Sequence, residues 1–121
     1  MQLQRSALMD EVSVINTITV PPGMEAIAES VRDEYIAYFK GQDGFVGSTF
    51  YKSMEREPDG SIKYVNTVVW KSYRHFENVV NQGFSNPKGA NSDGYKVLGK
   101  GFPEPINVSP GRYVVIAKNS A

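Results

Sequence analysis

Val12-Ser13-Val14-Ile15-Asn16-Thr17-Ile18-Thr19-Val20-Pro21-Pro22-Gly23 changes texture abruptly at its end. Val12, Val14, Ile18 and Val20 alternate with Ser13, Thr17 and Thr19, a period of two that specifies a half-buried strand. Proline cannot donate to a β-ladder, so Pro21-Pro22-Gly23 stops that strand. The period then lengthens to that of a helix over about Met24 to Lys40. Ile27, Val31, Tyr35 and Tyr38/Phe39 mark one face, and Glu29, Arg32 and Asp33 the other. Gly41-Gln42-Asp43-Gly44 ends it.

Further along, Phe45 to Met54 and Ile62 to Lys71 read as two more strands. Glu55-Arg56-Glu57-Pro58-Asp59-Gly60-Ser61 between them is a hairpin turn signal. A second helix is expected over about Tyr73 to Gln82, capped by Ser72, with Phe76, Val79 and Val80 inward. Residues 83–111 hold six Gly and four Pro, too many for a long regular element. Their Phe84, Tyr95, Val97, Leu98 and Phe102 are too apolar for a linker, so an ordered loop is expected there. Arg112 to Lys118 reads as the last strand. The order β-α-β-β-α-β predicts an α+β, ferredoxin-like split βαβ fold, with an antiparallel four-stranded sheet and two helices on one face. Residues 1–10 are read as an N-terminal extension and 11–121 as one domain. The uncovered sheet face calls for a second copy, hence a homodimer.

Composition narrows the function. The 121 residues include no Cys, one His and one Trp, which excludes a disulfide framework, a Cys nucleophile or a site of several His ligands. No metal site is expected. Lys plus Arg equals Asp plus Glu at 13 each, so no basic excess argues for nucleic acid or an anionic membrane. No apolar run reaches the roughly 18 residues of a membrane-spanning helix. The first residues lack a signal peptide's apolar segment, and a cytoplasmic location is expected.

The sharpest local signal comes from strand faces. Asn16 shares its face with Val12, Val14, Ile18 and Val20, while Asn66 and Trp70 share theirs with Ile62, Tyr64 and Val68. An amide on an apolar face costs a few kcal/mol unless it finds a partner. The pair is therefore either structural and mutually satisfied or a set of fixed donors in a substrate pocket. His75 is either a solvated helix residue or a general acid/base. Phe50, Tyr51, Tyr64 and Phe76 are core residues or a ligand platform. Arg112 is a surface residue or stands at a pocket mouth, where it would suit an anionic or phenolate ligand.

Three segments resemble the antibiotic biosynthesis monooxygenase family. They are Val14 to Gly23, Asp43-Gly44-Phe45-Val46 (with Asp where the family has Pro), and Tyr64 to Trp70, with Asn and Trp four apart. The resemblance implies a dimeric α+β barrel and the branch that oxidises polyketide anthrones and quinols with O2 without flavin, haem or metal. It places Asn16, Asn66 and Trp70 in the pocket, and puts Phe76 where some members carry a tyrosine. Two alternatives follow: a haem-degrading oxygenase, for which His75 lies early in sequence as an iron ligand, and a non-catalytic barrel binding a small hydrophobic metabolite. In the cofactor-free reading an anthrone, naphthol or quinol supplies the electrons itself, and amide donors stabilise its deprotonated form.

Overall fold

The computed structural model describes residues 10–80 and 102–121. Its elements run β1 (Val12–Val20), α1 (Glu25–Lys40), β2 (Phe45–Arg56), β3 (Ile62–Trp70), α2 (Tyr73–Val79) and β4 (Asn107–Tyr113). The strands form one sheet in the order β2-β3-β1-β4, every neighbour antiparallel. This is the ferredoxin-like split βαβ arrangement, with β1 and β3 adjacent at its centre.

Local chemistry explains most boundaries. Pro21 O accepts from Met24 N at 3.2 Å, turning the chain directly into α1. The β2–β3 hairpin closes through Glu57 N to Ser61 O (2.8 Å), with Gly60 at φ +87° where glycine is free of the usual penalty. Ser72 caps α2 as expected, its hydroxyl accepting from His75 N at 3.3 Å. That helix ends at Val79, short of the expected Gln82, which lies outside the described residues.

Two expectations need correction. The last strand is Asn107–Tyr113, not Arg112 to Lys118, so the segment read as a loop over 83–111 yields its final residues to the sheet. Residues 83–101 of that segment lie outside the described residues. β4 is an edge strand, and an edge tolerates Pro110, which has no N–H to give. The more apolar Val114, Val115 and Ile116 stay 43%, 49% and 75% exposed.

The second correction concerns α1. Ala28 and Phe39 are buried and Tyr35 is half-buried, whereas Ile27 is 45% exposed. The inward seam is 28, 32, 35, 39, the spacing of one helical stripe, and it carries Arg32 toward the sheet.

The core forms two clusters. One gathers Val12, Val14, Phe39, Val68, Trp70, Phe76, Val79 and Val80; the other Ile18, Val20, Ala28, Ile62, Tyr64 and Ile106. Between them, at the midpoints of β1 and β3, Asn16 pairs in register with Asn66. The rung continues to Phe50 on β2 and Pro110 on β4. The opposite sheet face, with Ile15, Val65 and Val69, is only half-buried.

Candidate active site

A cavity of about 300 Å³ opens between the sheet and the helices, spanning the amide rung. The sheet contributes Val14, Asn16, Ile18, Asn66, Val68, Trp70, Val108 and Pro110 to its walls. The helices contribute Tyr35, Phe39 and Phe76, Val80 follows α2 directly, and Phe102 and Ile106 come from the segment before β4. Such walls suit a flat apolar ligand, and the volume sits at the small end of the ~300–1,000 Å³ usual for small-molecule sites. The indole of Trp70 is fixed edge-on by Phe39 (5.3 Å between centroids) and Phe45 (5.9 Å).

The two amides are not bonded to each other as a closed pair. Asn16 Oδ1 is buried with no hydrogen-bond partner among the described residues. Asn66, 6% exposed, is held from behind: Arg32 Nε donates to its Oδ1 at 3.1 Å. Arg32 Nη2 also donates to Ser48 Oγ at 2.9 Å, and that hydroxyl donates to Thr67 O at 2.7 Å. A guanidinium has no acceptor, so only the carbonyl end of Asn66 can face it. The amide's Nδ2 is therefore turned away from Arg32, and no described group accepts from it.

Arg32 reaches this position by lying over the Phe50 ring, its Cζ 4.8 Å from the centroid, with a side chain only 16% exposed. Burial pushes its pKa below the ordinary guanidinium value, partly offset by Asp33 at 3.7 Å. Guanidinium remains protonated at neutral pH all the same.

No family sequence profile and no curated protein sequence matches the chain. Solved structures do. SnoaB, a cofactor-independent oxygenase from Streptomyces nogalater, is 28% identical, with a TM-score of 0.58 over 90% of this chain and 96% of that one. A protein from Bacillus cereus assigned to the antibiotic biosynthesis monooxygenases is 21% identical, with a TM-score of 0.56 over 93% and 99%. A dimeric ferredoxin-like protein from an uncultured marine organism gives 14% and 0.56 over 90% and 98%. The chain is similar in fold to the antibiotic biosynthesis monooxygenases.

Of the residues singled out in the sequence, Asn16, Asn66, Trp70 and Phe76 meet at the cavity. The others lie elsewhere. Phe50 stacks on Tyr64 at 5.1 Å behind the wall. Tyr64 is buried, and its hydroxyl donates to Glu29 Oε2 at 2.6 Å. Burial and that carboxylate push the phenol's pKa above its usual 10, and accepting the bond pulls Glu29 below its usual 4.5. Tyr51 is 56% exposed. Arg112 Nη1 donates to Tyr73 Oη at 2.9 Å without lining the cavity.

His75 does not line the cavity. Its Nδ1 pairs with Ser72 Oγ at 2.8 Å and its Nε2 lies 3.7 Å from Asp43. The ring packs against Gly44, where a Cβ would sit 2.4 Å from His75 Cβ, Cγ and Cδ2. The glycine of Asp43-Gly44-Phe45-Val46 is thus required twice, by this contact and by φ +90°.

Two functional candidates escaped the sequence reading. Tyr35 is the only titratable side chain among the described lining residues. Arg32 was placed on the polar helix face because it is charged. The 28, 32, 35, 39 spacing was the signal that would have found it.

Proposed function

We propose that this chain is a cofactor-independent monooxygenase that oxidises an electron-rich hydroxylated aromatic, of anthrone or naphthol type, to a quinone with O2. The observation that carries the reading is the Asn16–Asn66 rung inside an otherwise apolar cavity, its carbonyl end fixed by Arg32. The 28% identity to a cofactor-independent oxygenase over nine-tenths of the chain supports it.

The reaction needs a substrate that lowers its own barrier. An anthrone methylene loses a proton to give a delocalised carbanion whose charge rests largely on oxygen. Asn66 Nδ2 donates to that oxygen, a stabilisation worth most where water is excluded. The carbanion passes one electron to O2, the radical pair recombines at carbon, and protonation gives a hydroperoxide. Loss of water then leaves the carbonyl. In balance, the methylene carbon exchanges its two hydrogens for one oxygen atom of O2, and those hydrogens depart with the other oxygen as water. Asn16 Oδ1, without a partner among the described residues, accepts from a ring hydroxyl and fixes which edge of the substrate faces the rung. Trp70 and Phe76 hold the ring plane. Tyr35, the one lining phenol, is placed to exchange a proton with the hydroperoxide.

The protein works as a homodimer in this reading. Ile15, Val65 and Val69 on the open sheet face, with exposed Tyr113 to Ile116, await cover. The decisive experiment measures oxygen uptake and quinone formation from dithranol by metal-stripped protein. One O2 consumed per quinone formed is expected, with at least tenfold loss in Trp70→Phe. Absence of turnover, or a rate untouched by both Asn66→Ala and Trp70→Phe, overturns the proposal.

A further inference from the structure

Arg32 does not line the cavity, yet it is the half-buried cation directly behind it, in contact with a lining residue. Its Nε holds Asn66 Oδ1 at 3.1 Å; Ser48 Oγ at 2.9 Å and the Phe50 face are neutral contacts, and Nη1 forms an ion pair with Asp33 Oδ1. Asp33, the nearest carboxylate, is 76% exposed and 3.7 Å away. Glu29, one turn earlier on α1, is engaged by Tyr64 of β3 and Lys52 of β2. The charge on Arg32 is therefore offset only by one solvent-exposed carboxylate, and its field extends through the amide toward the cavity.

We infer that Arg32 is a positioning residue: it locks the Asn66 amide with its N–H2 toward the ligand and polarises it, so that a phenol or enol bound in the cavity ionises more readily. The inference rests on the proposed oxyanion role of Asn66. A cation charges an amide carbonyl further, and an amide polarised this way is a stronger donor. The lock also forbids the flipped amide, which would present an acceptor to an oxyanion and repel it. A ligand oxygen on Nδ2 would lie about 7 Å from the guanidinium. At the effective dielectric of about 20 that suits such sites, Coulomb's law makes this a tenfold to hundredfold gain in the ionisation constant.

The test uses 2-hydroxyanthraquinone, a product-like phenol whose ionised form absorbs at longer wavelength and which cannot be turned over. Bound to the native protein, it is expected to ionise at least one pH unit below its free value. Arg32→Met is expected to return the midpoint toward the free value by one to two units, and Arg32→Lys, which keeps the charge, to retain most of the shift. In an Asn66→Ala background the shift is small, and Arg32→Met then changes nothing further. Should Arg32→Met prove too unstable to study, Arg32→Lys against Arg32→Gln makes the same comparison, since both keep a donor and only one keeps the charge. Equal midpoints in those two, or a native midpoint unmoved by Arg32→Met, overturn the inference while leaving the oxygenase reading intact. A full Arg32 effect persisting without Asn66 overturns the positioning role. A protein that does not bind the probe overturns the oxygenase reading, and the inference with it.

Discussion

Replacing Asn66 by aspartate and by alanine separates its two tasks, because Asn66 faces a cation on one side and the cavity on the other. Alanine removes both ends. Arg32 Nε then loses its acceptor in a site where the arginine side chain is only 16% exposed, keeping Ser48 Oγ and the Phe50 face. A buried donor left unpaired costs about 1–3 kcal/mol, and this one is charged, so about 2–3 kcal/mol is expected. For a chain of this length that lowers Tm by roughly 10 °C. Aspartate instead keeps an acceptor for Arg32 and adds an ion pair, so its Tm should match or exceed the native value. It nevertheless presents an acceptor where a donor is needed. Losing one oxyanion donor costs about 10²–10³ in rate, and a carboxylate beside the developing charge costs more. Thermal melts with oxygen uptake on dithranol give both numbers for each variant. The expected pattern is Ala unstable and slow, Asp stable and slower still. An Asp variant keeping more than a tenth of the native rate refutes the donor role, and an Ala variant as stable as the native protein refutes the account of Arg32.

Further outcomes are expected elsewhere. Asn16→Val removes the buried, unpartnered Oδ1 and should raise Tm by a few degrees, while weakening ligand binding about tenfold or more in a titration followed by absorbance. Gly44→Ala should lose more than about 2 kcal/mol, from the positive φ and the overlap with the His75 ring; adding His75→Ala relieves only the overlap, so denaturant titrations should show partial rescue. Acid weakens the fold through Glu25 and Glu29. Each is held below its usual 4.5, by hydrogen bonds from Arg56 and Tyr64 respectively, so their contribution is complete above that pH and fades as pH falls through the lowered values. Melts between pH 6 and 3 should show this decline, and it should be shallower in Glu29→Gln.

Much of this was legible in the sequence, and the failures share a cause. The strand period around Asn16 and Asn66 placed both amides on the apolar face, and β1 and β3 then brought them opposite each other. Ser72 announced the start of α2 by its cap chemistry. What failed was inference from residue character taken one position at a time. Arg112 to Lys118 looked like the final strand because its middle is apolar, but pairing with β1 is made by Asn107–Tyr113, whose prolyl residue an edge can carry. Arg32 looked like solvent-facing charge, and its burial depends on acceptors 16 and 34 residues away in sequence. Phe50, Tyr51 and Tyr64 looked like pocket residues because they are aromatic, yet their strand positions put them behind the wall or on the other face. Local pattern carries strand and helix periods; a charge that changes sides does so for tertiary reasons.

The position of the amide rung bears on why the cavity persists. A Val or Leu pair at 16 and 66 would join the two apolar clusters into one continuous core and stabilise the chain. The rung prevents that closure. Asn66 needs Arg32, Arg32 needs Ser48 and Phe50, and Ser48 needs the Thr67 carbonyl, so four residues on three elements are ordered around one side chain. Asn16 is left without even that much support. A structural polar pair would have closed on itself or found a backbone partner on each side, since an orphaned buried acceptor is a cost that folding alone does not repay. The asymmetry, one amide rigidly backed by a cation and the other waiting for a donor, is what a site built to receive an ionisable hydroxyl on one edge and a developing oxyanion on the other requires.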